Sequence, residues 1–95
     1  MKEIIEKIVN KVPKGYMFDS HFVINQMIKN HLDEYLLYAS NIKNSSGKSI
    51  SVHGNIGKRI SEYAKSENTI KQLEAKSWSE NIRGNASECT AWLKL

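Results

Sequence analysis

The feature that most constrains this chain is its C-terminal third, where two runs of period-two alternation flank a polar turn. Leu73, Ala75 and Ser77 alternate with Glu74, Lys76 and Trp78; after the turn, Cys89, Ala91 and Leu93 alternate with Glu88, Thr90, Trp92 and Lys94. Successive side chains of a strand point to opposite faces, so both runs read as strands. Between them, Asn81-Ile82-Arg83-Gly84-Asn85 can take positive φ at Gly84 and Asn85 at little steric cost, which makes it a hairpin tip. A two-stranded hairpin is marginal alone in water. The rest of the chain has to supply the surface it leans on.

That surface is helical. Ile4, Ile5, Ile8, Val9 and Val12 repeat at helical spacing, and Pro13 with Gly15 ends this first helix near Val12. Tyr16-Met17-Phe18 is a short strand or extended linker, after which Asp19 or Ser20 caps a second helix, with Phe18 as a hydrophobic staple. Its stripe is Phe22, Val23, Met27 and Ile28. A third helix, capped by Asn30 or Asp33, lines one side with Leu32, Tyr35, Leu36 and Ala39. Asn41 to Ser49 lacks a helical pattern, and Asn44-Ser45-Ser46-Gly47-Lys48 predicts a surface loop whose only charges are Lys43 and Lys48. Ser51 to Lys65 is the next helix: Ile56, Ile60 and Ala64 form its apolar stripe, Asn55, Lys58, Arg59, Glu62 and Lys65 lie opposite, and Gly57 marks a close-packing point.

With 95 residues, the chain is read as a single domain spanning residues 1–95. No segment approaches the roughly 20 apolar residues of a membrane span, and Met1 to Asn10 mixes acids into its apolar residues unlike a secretory signal. The single cysteine, Cys89, cannot form an internal disulfide. A cytoplasmic protein without a membrane partner is expected. Fourteen basic against ten acidic residues give a net charge of +4, which suits a polyanionic partner without requiring one.

No catalytic or metal constellation emerges. His21, His31 and His53 stand apart from each other without a Cys or acidic ligand pair nearby. Cys89 alternates with core-facing residues, as a small buried apolar side chain would. Ser77 and Ser79 flank Trp78 without a nucleophile-elbow pattern. Neither a cofactor nor an enzymatic activity is expected.

The element order, helix, short strand, helices, helix, hairpin, resembles the winged helix-turn-helix superfamily over nearly the whole chain. The resemblance implies an α+β fold of three to four helices followed by a C-terminal β-hairpin wing. The chain departs from the simplest pattern by an extra helix and the polar loop at Leu32 to Ser49. The resemblance further implies a small DNA-binding protein, such as a transcriptional regulator, with the helix from Ser51 in the major groove. Ser51, His53, Asn55, Lys58, Arg59 and Arg83 would then face duplex DNA. Arg59 would pair a guanine, Asn55 an adenine, Lys58 a phosphate, and Arg83 on the wing the backbone or minor groove. Dimerisation through the first helix would supply a second half-site.

Two other readings stand beside this one. Val52-His53-Gly54-Asn55-Ile56-Gly57-Lys58-Arg59-Ile60 resembles the GxxG segment of KH domains, which clamps single-stranded RNA backbone. A protein-interaction module on the same scaffold, without nucleic-acid binding, is the alternative from another class. Glu62, Glu74, Glu80 and Glu88 dilute the cationic surface in its favour. Trp78 and Trp92 share a face of the hairpin; burial in the core is expected, and exposure would make them a partner surface.

Overall fold

The computed structural model describes residues 1–46 and 52–95, and within them an α+β architecture. Helix α1 spans Lys2–Asn10, strand β1 Met17–Asp19, α2 Ser20–Asn30, α3 Leu32–Ser46 and α4 Val52–Glu67. Strands β2 (Ile70–Gln72), β3 (Ser77–Glu80), β4 (Ala86–Cys89) and β5 (Ala91–Lys94) follow. Asp19 caps α2 by accepting the Phe22 amide at 2.8 Å, and Phe18 packs edge-on against Phe22 with ring centroids 6.1 Å apart. Asn68, just beyond α4, lies in the left-handed region at φ 56°, a conformation that Asn tolerates at helix ends.

The sheet is antiparallel, in the order β1-β5-β2. Phe18 and Gln72 flank Trp92 across it, whereas Met17 pairs with Leu93 and Asp19 with Ala91. Cross-strand partners share a face. Trp92, 1 % exposed, therefore enters the core among Ile5, Ile8, Val9, Val23, Met27, Ile56, Ile60 and Ile70. Its indole N–H donates to Ser20 Oγ at 3.3 Å, which satisfies the one polar atom it buries.

Several expectations need correction. The alternating runs do not form one continuous hairpin. Gln72 pairs with Trp92 and Ser77 with Cys89, so Leu73 to Lys76, four residues, face only Thr90 and Ala91. This bulge separates a basal pair, β2 and β5, from a distal ribbon, β3 and β4, and it separates the tryptophans too. Trp92 is core and Trp78, on the distal ribbon, is 70 % exposed. The loop predicted from Asn41 is helical through Ser46 as part of α3; the remainder of that loop, with Lys48, lies outside the described residues.

Burial on α3 is also rotated from the expected side. Tyr35, Tyr38 and Ala39 turn inward, while Leu32, Leu36 and Leu37 are exposed. An added Cβ on Gly57 would meet nothing within 4 Å, so that glycine is not a close-packing point. Helix α1 commits Ile5, Ile8 and Val9 to the core, leaving its polar side for any partner.

Candidate nucleic-acid interface

Burial of Ile56, Ile60 and Tyr63 fixes the rotation of α4 about its axis. Gly54, Lys58, Ser61 and Lys65, at helical spacing, consequently form its outward stripe, with Lys58 and Lys65 exposed. Among the described residues neither lysine makes an ion pair. Arg59 and Asn55 lie on a flank and are engaged. Arg59 Nη1 donates to Glu62 Oε2 at 2.7 Å, and Arg59 Nε donates to the Tyr38 hydroxyl at 3.3 Å. The same hydroxyl donates to Asn55 Oδ1. Arg59 also borders the groove between α1 and α4 together with Lys2, Ile5, Glu62 and Tyr63.

His53 sits in the first turn of α4, half-buried, its Nε2 2.8 Å from the Tyr35 hydroxyl. Tyr35 and Tyr38, one turn apart on α3, thus pin the start of α4 from the extra helix. Gly54, Asn55, Ile56 and Gly57, the GxxG segment, are helical here, and Ile56 is fully buried. Ser51 lies outside the described residues.

The distal ribbon packs on the junction of β1 and α2. Its inner face carries Ser77, Ser79, Ser87 and Cys89, all half-buried, while Trp78, Glu80, Ala86 and Glu88 face out. That inner face lies on the start of α2. His21 Nδ1 is 2.7 Å from Ser79 Oγ and His21 Nε2 is 3.4 Å from Ser87 Oγ, so one imidazole bridges both strands. Ser77 Oγ donates to Asp19 Oδ2 at 2.7 Å. Burial by itself would raise the Asp19 carboxyl, but hydrogen bonds from Ser77, the Phe22 amide and Ser79, with His21 nearby, outweigh it and hold the group below its ordinary value. Among the described residues, the hydrogen-bond partners of His21 are the Ser79 and Ser87 hydroxyls, and Asp19 is bonded to Ser77 and the Phe22 amide.

Asn81 builds the tip of the ribbon. Its side-chain oxygen accepts the amides of Arg83 (2.9 Å) and Asn85 (3.2 Å), and its carbonyl accepts Gly84 N–H at 3.0 Å. Gly84 takes φ 80°, as the turn requires, but Asn85 stays out of the positive region. Burial lowers the His53 pKa, and the charge of the exposed Arg83 and then that of His21 lower it further. Of the residues singled out from the sequence, the structure leaves Lys58 exposed on the outward stripe of α4 and Arg83 exposed at the ribbon tip, and sets His53 half-buried against Tyr35. It holds Asn55 and Arg59 in side-chain pairs.

The sequence reading missed His21, Tyr35, Tyr38 and the three serines. One signal was present: Ser77, Ser79, Ser87 and Cys89 occupy alternate positions without a large apolar side chain. A strand face so composed cannot cover a hydrophobic core and needs polar neighbours. Among the described residues, no helix is long and apolar enough to cross a membrane, and no three His, Cys, Asp or Glu side chains are grouped as a metal centre would need. No protein-family model, curated protein or solved structure matches the chain.

Proposed function

We propose that this protein is a winged-helix module that binds duplex DNA, with α4 in the major groove and the β3–β4 ribbon as the wing. The observation that carries the reading is that α4 is followed by an antiparallel β3–β4 ribbon that continues past the β1-β5-β2 sheet and carries the exposed Arg83 at its tip. The strand order β1-β5-β2, with the hairpin running on beyond the sheet, supports the same arrangement. Lys58 and Lys65 on the outward stripe supply phosphate contacts, and Arg83 supplies one from the wing. Arg59 is assigned to holding α4 against α3 and α1, because its guanidinium is already engaged by Glu62 and Tyr38.

A protein-interaction role on this scaffold is the second reading, and the exposure of Trp78 beside Glu80 and Glu88 favours it. Fluorescence anisotropy with labelled duplexes over a salt series separates the two. DNA binding gives measurable affinity at low ionic strength, falling linearly in log–log form as counterions return. No binding to any duplex at low salt would remove the proposal.

A further inference from the structure

We propose that α3 and the start of α1 form a docking site for an amphipathic helix with basic flanks, on a surface separate from the one assigned to DNA. The starting point is the exposure of Leu36 and Leu37, 54 % and 65 % respectively, with Leu32 also exposed one turn earlier. Three leucines turned outward on one helix are not needed to hold the fold, whose core is filled from α1, α2, α4 and the sheet. Beside them lies a cleft of about 360 Å3 between α1 and α3, lined by Met1, Glu3, Ile4, Glu34, Leu37, Tyr38 and Asn41. Ile4 and Leu37 give the cleft an apolar wall, so inserting an aliphatic side chain there withdraws apolar surface of both partners from water.

Charge selects the occupant. The side chains lining the cleft include two carboxylates and no Lys, Arg or His. Glu3 has an ammonium partner, the N-terminal nitrogen of Met1, at 3.8 Å, whereas Glu34 and its neighbour Asp33 make no ion pair among the described residues. Both are exposed in the first turn of α3. A cleft with Ile4 and Leu37 as its apolar wall, edged by Glu34 and with Asp33 beside it, fits a helix that inserts leucine-like anchors and brings Lys or Arg beside them. A second copy of this chain fits less well. A symmetric pair through α3 would bring two acidic edges together, and a patch of three leucines is far short of the roughly 20–30 residues a side of a stable interface.

The test uses a displayed library of helical peptides about 16 residues long, with Leu anchors and every mixture of Lys and Glu at the flanking positions. It is selected on the full chain and on its Leu37→Asp and Glu34→Lys variants, each first checked for an unchanged melting curve. The proposal expects Lys-flanked peptides to be enriched, their affinity to fall at least about tenfold on Leu37→Asp, and Glu34→Lys to shift the selection toward Glu-flanked sequences. DNA affinity stays unchanged in both variants, which keeps this result separate from the fate of the DNA reading. Equal enrichment of acidic and basic flanks, binding insensitive to Leu37→Asp, or a concentration-dependent dimer abolished by Leu37→Asp in sedimentation would each overturn it.

Discussion

Lys94, only 9 % exposed, donates its ammonium to the Val9 carbonyl at 3.1 Å and so ties the middle strand of the sheet to the last turn of α1. Helix C-termini carry partial negative charge and spare carbonyl acceptors, and a buried cation needs such a partner.

Lys94→Ala therefore loses both the cap and the packing of the aliphatic stem, at a cost of about 2 kcal/mol in urea unfolding. Lys94→Met keeps the stem and costs about half as much. A change within about 0.5 kcal/mol for Lys94→Ala would place that residue with ordinary surface positions.

The two tryptophans should respond in opposite ways. Trp92→Ala removes a large side chain from the centre of the core and costs about 3–5 kcal/mol, whereas Trp78→Ala changes stability by no more than about 0.5 kcal/mol. Fluorescence gives an independent check: the native spectrum of the Trp78→Phe variant is blue-shifted, and that of Trp92→Phe resembles exposed indole.

Acid should loosen the ribbon through Asp19. Its folded pKa lies below the ordinary carboxylate value of about 3.9, so the ionised form stabilises the fold above that value. The contribution is lost as pH falls through the lower folded value. Asp19→Asn keeps a helix-capping oxygen and flattens the acid limb of a stability-against-pH curve. An unaltered acid limb would show that Asp19 does not contribute to it.

Arg83 and His53 can be tested as neighbours without any ligand. Removing the guanidinium in Arg83→Ala should raise the His53 pKa, although not to the ordinary value, because burial is the larger cause and remains. An NMR titration of the imidazole ring protons reads this directly. An unmoved His53 pKa would mean that the ribbon tip stands away from α4 in solution.

On the DNA reading, Lys58→Ala and Arg83→Ala each weaken binding across all sequences and reduce the log–log salt slope by about one. Arg59→Ala leaves that slope unchanged, since Arg59 is paired with Glu62. Its effect falls on stability, where an exposed pair contributes at most about 1 kcal/mol. A slope reduced as much by Arg59→Ala as by Lys58→Ala would return Arg59 to the phosphate contacts.

Local signals made the helices and the hairpin tip legible. Pro13 ended α1, Asp19 capped α2, and the Ile56–Ile60 stripe set the buried side of α4. What stayed hidden depended on contacts between segments far apart in sequence. The break at Leu73 to Lys76 cannot be read from alternation, because four residues facing two preserve the parity of the side chains while splitting the ladder. Tyr35 and Tyr38 were invisible as a pair until α4 lay across them. Arg59 looked like a free donor until Glu62, three residues on, was seen to be its partner and Tyr38 to lie against it.

The position of β5 also sets a schedule for folding. It is the middle strand of the sheet but the last described element to be synthesised, and it joins β1, from near the start of the chain, to β2. While residues 91–94 are still to be made, Phe18 and Ile70 have no strand between them and the place of Trp92 is vacant. The helices can gather early, but the sheet forms in one late step of long loop closure. A nascent chain stalled before Ala91 would present an unfilled apolar slot of the kind chaperones bind.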